Sequence, residues 1–321
     1  MFQRILITPP PITWASPLAR KAPIPFRALI GLMILMALAS SAWAAGFSSD
    51  RIHVQVVGEG RDIILVPGLG SSPEVWSNLV QSAPGNRFHL VHVHGFAGLP
   101  AAGNREAPIA GPVAEELLSY ANAAGLERPV IVGHSMGGTI ALMMAGRAPA
   151  AVAGVVVLDM PPFLGSVFGR PGMSDEDLQS LADDVRSQLL GLAPSERRQR
   201  LVEEVAGMVT DAEGRETVLQ DRLASDEQVV ANALHELILT DLSSELSSIR
   251  APVKVMYVQP AGANLSEAQI DAFYRDAYGA VATVQLTRIP DSAHFIMLDQ
   301  PAAFRTVLLD FLDEIEGGRG Q

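Results

Sequence analysis

Between residues 130 and 147 an apolar run passes into a helical stretch with almost no chain between them. Val130-Ile131-Val132 has the unbroken hydrophobicity of a strand covered on both faces. Met136 to about Arg147 reads as a helix. Their junction is Gly133-His134-Ser135-Met136-Gly137-Gly138. A strand that turns so sharply into a helix brings backbone against backbone, and the glycines remove the side chains that would collide there. The turn should lift the Ser135 hydroxyl above the end of the strand. The helix N-terminus beneath it favours negative charge developing nearby. Ser135 is therefore a candidate nucleophile. A serine hydroxyl reacts poorly at neutral pH, so this reading requires a base within hydrogen-bond reach.

The surrounding chain supplies the sheet that such a junction needs. Ile52 to Val56 alternates like a half-buried edge hairpin turned by Gly58-Glu59-Gly60. Ile63 to Val66, Phe88 to Val93, Val155 to Leu158, Val253 to Val258 and Ala282 to Thr287 read as further strands. Helical stretches lie between them, over Val113 to Ala124 and finally over Ala303 to Ile315. Ser72-Pro73 reads as a helix cap with proline at the first helical position. The alternation predicts an α/β fold with a mostly parallel central sheet and helices on both faces. It stops over residues 161–249, which hold no convincing strand. Helix starts recur there instead, at Ser174 before Asp175, at Ser195 before Glu196, and at Ser225 with Gln228. Ser266 with Gln269 opens another helix beyond them. The expected organisation is a core over 45–160 and 250–316, a helical insertion over 161–249 and a frayed tail over 317–321.

Residues 1–44 carry Arg4, Arg20, Lys21 and Arg27 and no acidic residue. A 12-residue apolar run, Ala28 to Ala39, leads to Ala42-Trp43-Ala44-Ala45. This is the pattern of an export signal cut after Ala44, and the run is short for a membrane span. The expectation is an exported chain, periplasmic or extracellular, whose mature form does not span a membrane. Without the signal, 19 basic residues face 35 acidic ones, a balance of −16. Such a surface repels nucleic acid. With no cysteine in the chain, disulfides, thiolate catalysis and thiolate metal sites are all excluded.

The junction around Ser135 resembles the nucleophile elbow of the α/β-hydrolase superfamily. Several other stretches carry the same resemblance. Pro67-Gly68-Leu69-Gly70 followed by Trp76 is similar to the family's oxyanion loop, although the family more often has histidine where Pro67 stands. Asp241-Leu242, Leu246, Ile249 and Ala251-Pro252 are similar to its return from cap to core. Asp291-Ser292-Ala293-His294-Phe295 and Pro301 match its last loop and closing helix. The resemblance implies an α/β-hydrolase fold with a helical cap and acyl transfer through a serine. Among the seven histidines, only His294 follows the last strand, where the family's chain order places the base. Backbone N–H groups of Leu69 and Met136 would form the oxyanion hole.

The acid departs from the family's pattern. The loop after residues 253–258 reads Gln259-Pro260-Ala261-Gly262-Ala263-Asn264-Leu265 and holds no carboxylate before Glu267. Some family members carry the acid one strand earlier, which here is Asp159. Asn264, Glu267 and Asp271 remain alternatives. No cofactor or metal is implied. His92 and His94 read as ordinary strand-end histidines, since the spacing offers them no third ligand. The expected substrate is a small acyl compound, an apolar carboxylic ester first. Amide, lactone and carbon–carbon bonds stay open, as does a non-catalytic ligand-binding role on this fold. Pro161 to Phe168 either packs the cap or lines an acyl pocket.

Overall fold

The β-branched runs pair into one seven-stranded sheet in a computed structural model that describes residues 47–106, 108–170, 172–260 and 265–319. The segment read as an export signal lies outside these residues. The strands are β1 Ile52–Gly58, β2 Arg61–Val66, β3 Asn86–Val93, β4 Val130–His134, β5 Gly154–Leu158, β6 Val253–Tyr257 and β7 Val284–Arg288. Their spatial order is β1-β3-β2-β4-β5-β6-β7. Only β1 runs antiparallel to its neighbour. β4 and β5 lie mid-sheet and are buried at every position, as their uninterrupted hydrophobicity requires.

The expected edge hairpin does not form. Gly58 to Gly60 turns the chain, but β1 pairs with β3, which lies between β1 and β2. β3 is buried almost throughout and needs a neighbour on each side, whereas half-exposed β1 suits the edge.

The described helices, in chain order, begin with α1 Ser77–Ser82, α2 Ala110–Ala123 and α3 Met136–Arg147. After β5 come α4 Gly165–Phe168, α5 Asp175–Leu190, α6 Pro194–Met208, α7 Ala212–Ala224 and α8 Glu227–Leu239. The last are α9 Glu267–Ala277, α10 Ile296–Asp299 and α11 Pro301–Arg319. Alternate strand residues feed two apolar cores, one on each face of the sheet. Ile131 and Val155 join Val113, Leu117, Ile140 and Tyr278 on one face. Val132 and Val156 join Trp76, Phe304, Leu308 and Phe311 on the other.

Three helix boundaries differ from the sequence reading. Ala193 and Pro194 open α6, with Glu196 accepting the Ala193 N–H at 2.9 Å, so Ser195 sits inside the helix. Asp226 caps α8 and accepts the Val229 N–H at 3.1 Å. Ser225 is free for other work, since its hydroxyl accepts the Ala97 N–H at 2.9 Å. Residues 317–319 continue α11 rather than fray. No proline interrupts that helix after Pro301, and Glu316 in its last turns pairs with Arg61 at 2.5 Å. The two ends of the insertion meet where Phe163 bridges Asp241 and the Leu242 N–H donates to the Pro162 carbonyl at 3.2 Å.

Candidate active site

Every expected site residue within the described chain stands at the carboxyl end of a parallel strand. Leu69 follows β2, Ser135 follows β4, Asp159 follows β5 and His294 lies in the loop after β7. In a parallel α/β sheet this edge is where loops are free to build a site. Leu69, Ser135, Asp159 and His294 line one cavity of about 870 Å³, roofed by the insertion.

Ser135 has φ 53° and ψ −121°, a left-handed backbone that a non-glycine residue adopts only when its surroundings enforce it. The enforcement is local. A side chain on Gly133 would overlap the Gly137 carbonyl, and one on Gly137 would overlap the Val66 carbonyl. The Ser135 N–H donates to the Leu158 carbonyl at 3.0 Å. Residues 129–145 are otherwise all buried, and Ser135, which lines the cavity beside His134, is the one residue of that run that is partly exposed. Met136 is the first residue of α3, so its N–H belongs to the helical turn whose donors lack intrahelical partners. The oxyanion-loop backbone lies close by, since a Cβ on Gly68 would stand 3.1 Å from the Ser135 Cβ.

Asp159 also has a left-handed backbone, φ 51°, and its N–H donates to the Met256 carbonyl at 2.7 Å. Its carboxylate is fully engaged. Oδ2 accepts from His294 Nδ1 at 2.7 Å. Oδ1 accepts from the Val258 N–H and from the Tyr274 hydroxyl, each at 3.1 Å. An Nδ1–H held by the carboxylate leaves the His294 Nε2 lone pair free to take a proton. The histidine loop is itself tied down, with the Ala293 N–H donating to Asp299 at 2.8 Å.

The other acid candidates point elsewhere. Asp271 accepts from the Tyr257 hydroxyl at 2.9 Å and from Arg288 at 3.0 Å. Glu267 pairs with the same Arg288 at 2.6 Å. Asn264 lies outside the described residues. His92 and His94 turn their rings to the backbone carbonyls of Phe96 and Pro100.

Three neighbours went unread in the sequence. His134 is wholly buried between the His294 and Phe295 rings, at 4.6 and 4.4 Å. Burial, and then the nearby His294, hold it well below the ordinary imidazole range. Neutral His134 donates from Nε2 to the His294 carbonyl at 3.1 Å and so fixes the base from behind. Tyr274 on α9 and Tyr278, which caps that helix one turn later, donate to Asp159 Oδ1 and to the Met160 carbonyl. Only the spacing of two tyrosines on one helical face could have hinted at this.

The cavity walls are mainly apolar. Pro161, Leu164, Val167 and Phe168 line it, together with Leu234 and Leu237 of α8. Charge enters from α6 and α7, where Arg222 pairs with Glu204 at 3.1 Å.

A strained serine over a helix N-terminus and a carboxylate-held histidine around an apolar cavity are an arrangement suited to acyl transfer. Comparison with known proteins agrees with that architecture. Pimeloyl-[acyl-carrier protein] methyl ester esterase of Sodalis glossinidius is 35% identical over 147 residues, 43% of this chain and 54% of that protein. Its namesake in Yersinia enterocolitica is 25% identical over 82% of this chain and 98% of its own. The crystal structure of the enol-lactonase from Burkholderia xenovorans superposes with a TM-score of 0.66 at 18% identity, over 82% of this chain and 96% of its own. At that identity the likeness speaks for the fold. The sequence model of the alpha/beta hydrolase family matches residues 63–307, and the chain belongs to that family of hydrolases.

Proposed function

We propose that the protein is a carboxylic ester hydrolase working through a covalent acyl-serine on Ser135. The observation that carries this reading is the Asp159–His294 pair at 2.7 Å, on the same cavity that partly exposed Ser135 lines from the elbow. In the first step Ser135 Oγ attacks the ester carbonyl as His294 Nε2 takes its proton. The negative charge of Asp159 steadies the imidazolium, and the N–H groups of Met136 and Leu69 receive the oxyanion. His294 then protonates the departing alcohol. Water attacks the acyl-serine by the same route, releasing acid and free enzyme.

Leu164, Val167, Phe168, Leu234 and Leu237 favour an apolar acyl chain, and the acidic surface disfavours an anionic one. The relatives named as methyl ester esterases support an ester rather than an amide. Residues 1–44 would direct export, leaving a mature chain from Ala45 in the periplasm or outside the cell. Mass spectrometry of the native protein tests that cut.

A fluorophosphonate probe tests the chemistry. It should label Ser135, and Ser135→Ala should lose both labelling and hydrolysis, by about 10⁴-fold or more in rate. A panel of esters should show butyrate hydrolysed with higher kcat/KM than succinate at low salt. Labelling that persists in Ser135→Ala would refute the nucleophile.

A further inference from the structure

The loop after β6 is where the family usually carries its acid, and here that place is taken by Gln259 and its neighbours. The helix that follows, α9, turns two tyrosines back to the corner where Asp159 stands. Tyr278 holds the Met160 carbonyl at 2.6 Å, and Tyr274 holds Asp159 Oδ1 at 3.1 Å. Consecutive residues of one strained corner are thus pinned by the last turn of one helix and by its cap. We infer that Tyr274 is a positioning residue for the proposed acid, with a hydroxyl that holds Oδ1 so that Oδ2 faces His294. This inference rests on the Ser135–His294–Asp159 reading above.

The ring is held by packing that does not depend on the hydroxyl. It stacks on Tyr257 at 4.2 Å and 20° between planes, and meets the edge of Phe273 at 5.3 Å. Tyr257 is tethered in turn through Asp271 to Arg288. Tyr274 is therefore fixed by stacking whether or not its hydroxyl bonds Asp159. Burial keeps the phenol proton on its oxygen, so the group is a donor throughout the working pH range. Without it, Oδ1 retains only the Val258 N–H, and one donor leaves the carboxylate freer to turn about its own axis.

The second consequence is electrostatic. The titratable groups facing Asp159 are His294 from the loop after β7 and Tyr274 and Tyr278 from α9; neutral His134 stands behind His294. A donor on Oδ1 draws charge away from the side that faces the imidazole. Removing it should leave more negative charge on Oδ2, against the His294 ring, and stabilise the imidazolium.

Tyr274→Phe keeps the ring and its stacking and removes only the donor. We expect kcat to fall about tenfold with KM unchanged, the size usual for a hydrogen bond to a charged group. The acidic limb of kcat/KM should move to higher pH. In the Asp159→Asn background the same substitution should cost nothing further, because it acts through that carboxylate. Replacing Tyr274 by 3-fluorotyrosine, a stronger donor of the same shape, should move the acidic limb the other way. Unchanged kcat and pH profile in Tyr274→Phe, or an equal loss in both backgrounds, would overturn the inference while leaving the acid in place. Full activity in Asp159→Asn would overturn the acid assignment and Tyr274 with it.

Discussion

Two neighbouring strands, β4 and β5, end in the same unusual way. Each is followed at once by a polar residue with a left-handed backbone, Ser135 at φ 53° and Asp159 at φ 51°. The two corners are held by opposite means. The serine corner is held by absence, with Gly133 and Gly137 letting backbones approach where any side chain would overlap a carbonyl. The aspartate corner is held by distant partners, the Val258 N–H, Tyr274, Tyr278 and His294, drawn from three later segments. One corner is a local steric solution and the other a long-range hydrogen-bonded one. Damage at the first should therefore be felt as lost stability, and damage at the second as lost chemistry.

The largest expected effect is at the aspartate corner. Asp159→Asn preserves shape and can still bond the backbone, but it presents the wrong partner to His294 Nδ1. The corresponding change in the best-studied triad costs about 10⁴ in kcat. We expect a loss of that order in steady-state kinetics with little change in the melting transition. Near-normal kcat here, with a collapse in Glu267 or Asp271 variants, would move the acid to α9.

The converse experiment is Gly137→Ala. The added methyl meets the Val66 carbonyl and can escape only if the backbone of α3 or β2 moves. Overpacking of this kind costs about 3 kcal/mol. Denaturant titration should show that loss even though no catalytic group has been altered. A Gly137→Ala protein of full stability would mean that the corner is less tightly enforced than its contacts indicate.

This contrast also explains what was legible in the sequence. The serine corner is written in six consecutive residues, and the strand before it and helix after it follow from hydrophobic pattern alone. His294 was readable from chain order. Asp159 was suggested only by the resemblance to family members with the acid one strand earlier, beside Asn264, Glu267 and Asp271, because a carboxylate at a strand end has many uses, and one partner that sets this one apart is Tyr274, 115 residues away. The insertion was read as helical but miscapped at two points. Ser195 and Ser225 have the right chemistry for caps, yet Pro194 and Asp226 lie beside them and take the terminal positions. Ser225 instead bonds Ala97, a long-range contact that local pattern does not encode. The edge hairpin failed for the same reason, since pairing of β1 with β3 rather than β2 is decided by which strand needs two neighbours.

The smallest expected effect concerns the residue that touches both corners. His134 belongs to the elbow, yet its ring supports the loop of His294, which the aspartate corner orients. Its burial keeps it neutral when folded, whereas in the unfolded chain it takes up a proton near pH 6.5. Below that pH the unfolded state binds the extra proton, so stability present above about pH 6.5 is lost as pH falls. One such group contributes at most about 1.4 kcal/mol per pH unit. His89 and His92 are also lowered by burial and add slopes of the same sign. His134→Gln retains an amide donor for the His294 carbonyl and cannot titrate. Denaturation curves between pH 6.5 and 5 should therefore show a shallower decline for the variant, less steep by close to one proton. An unchanged slope would place the acid sensitivity at His89 and His92, on the strand away from the site, and would leave the elbow as a purely steric device.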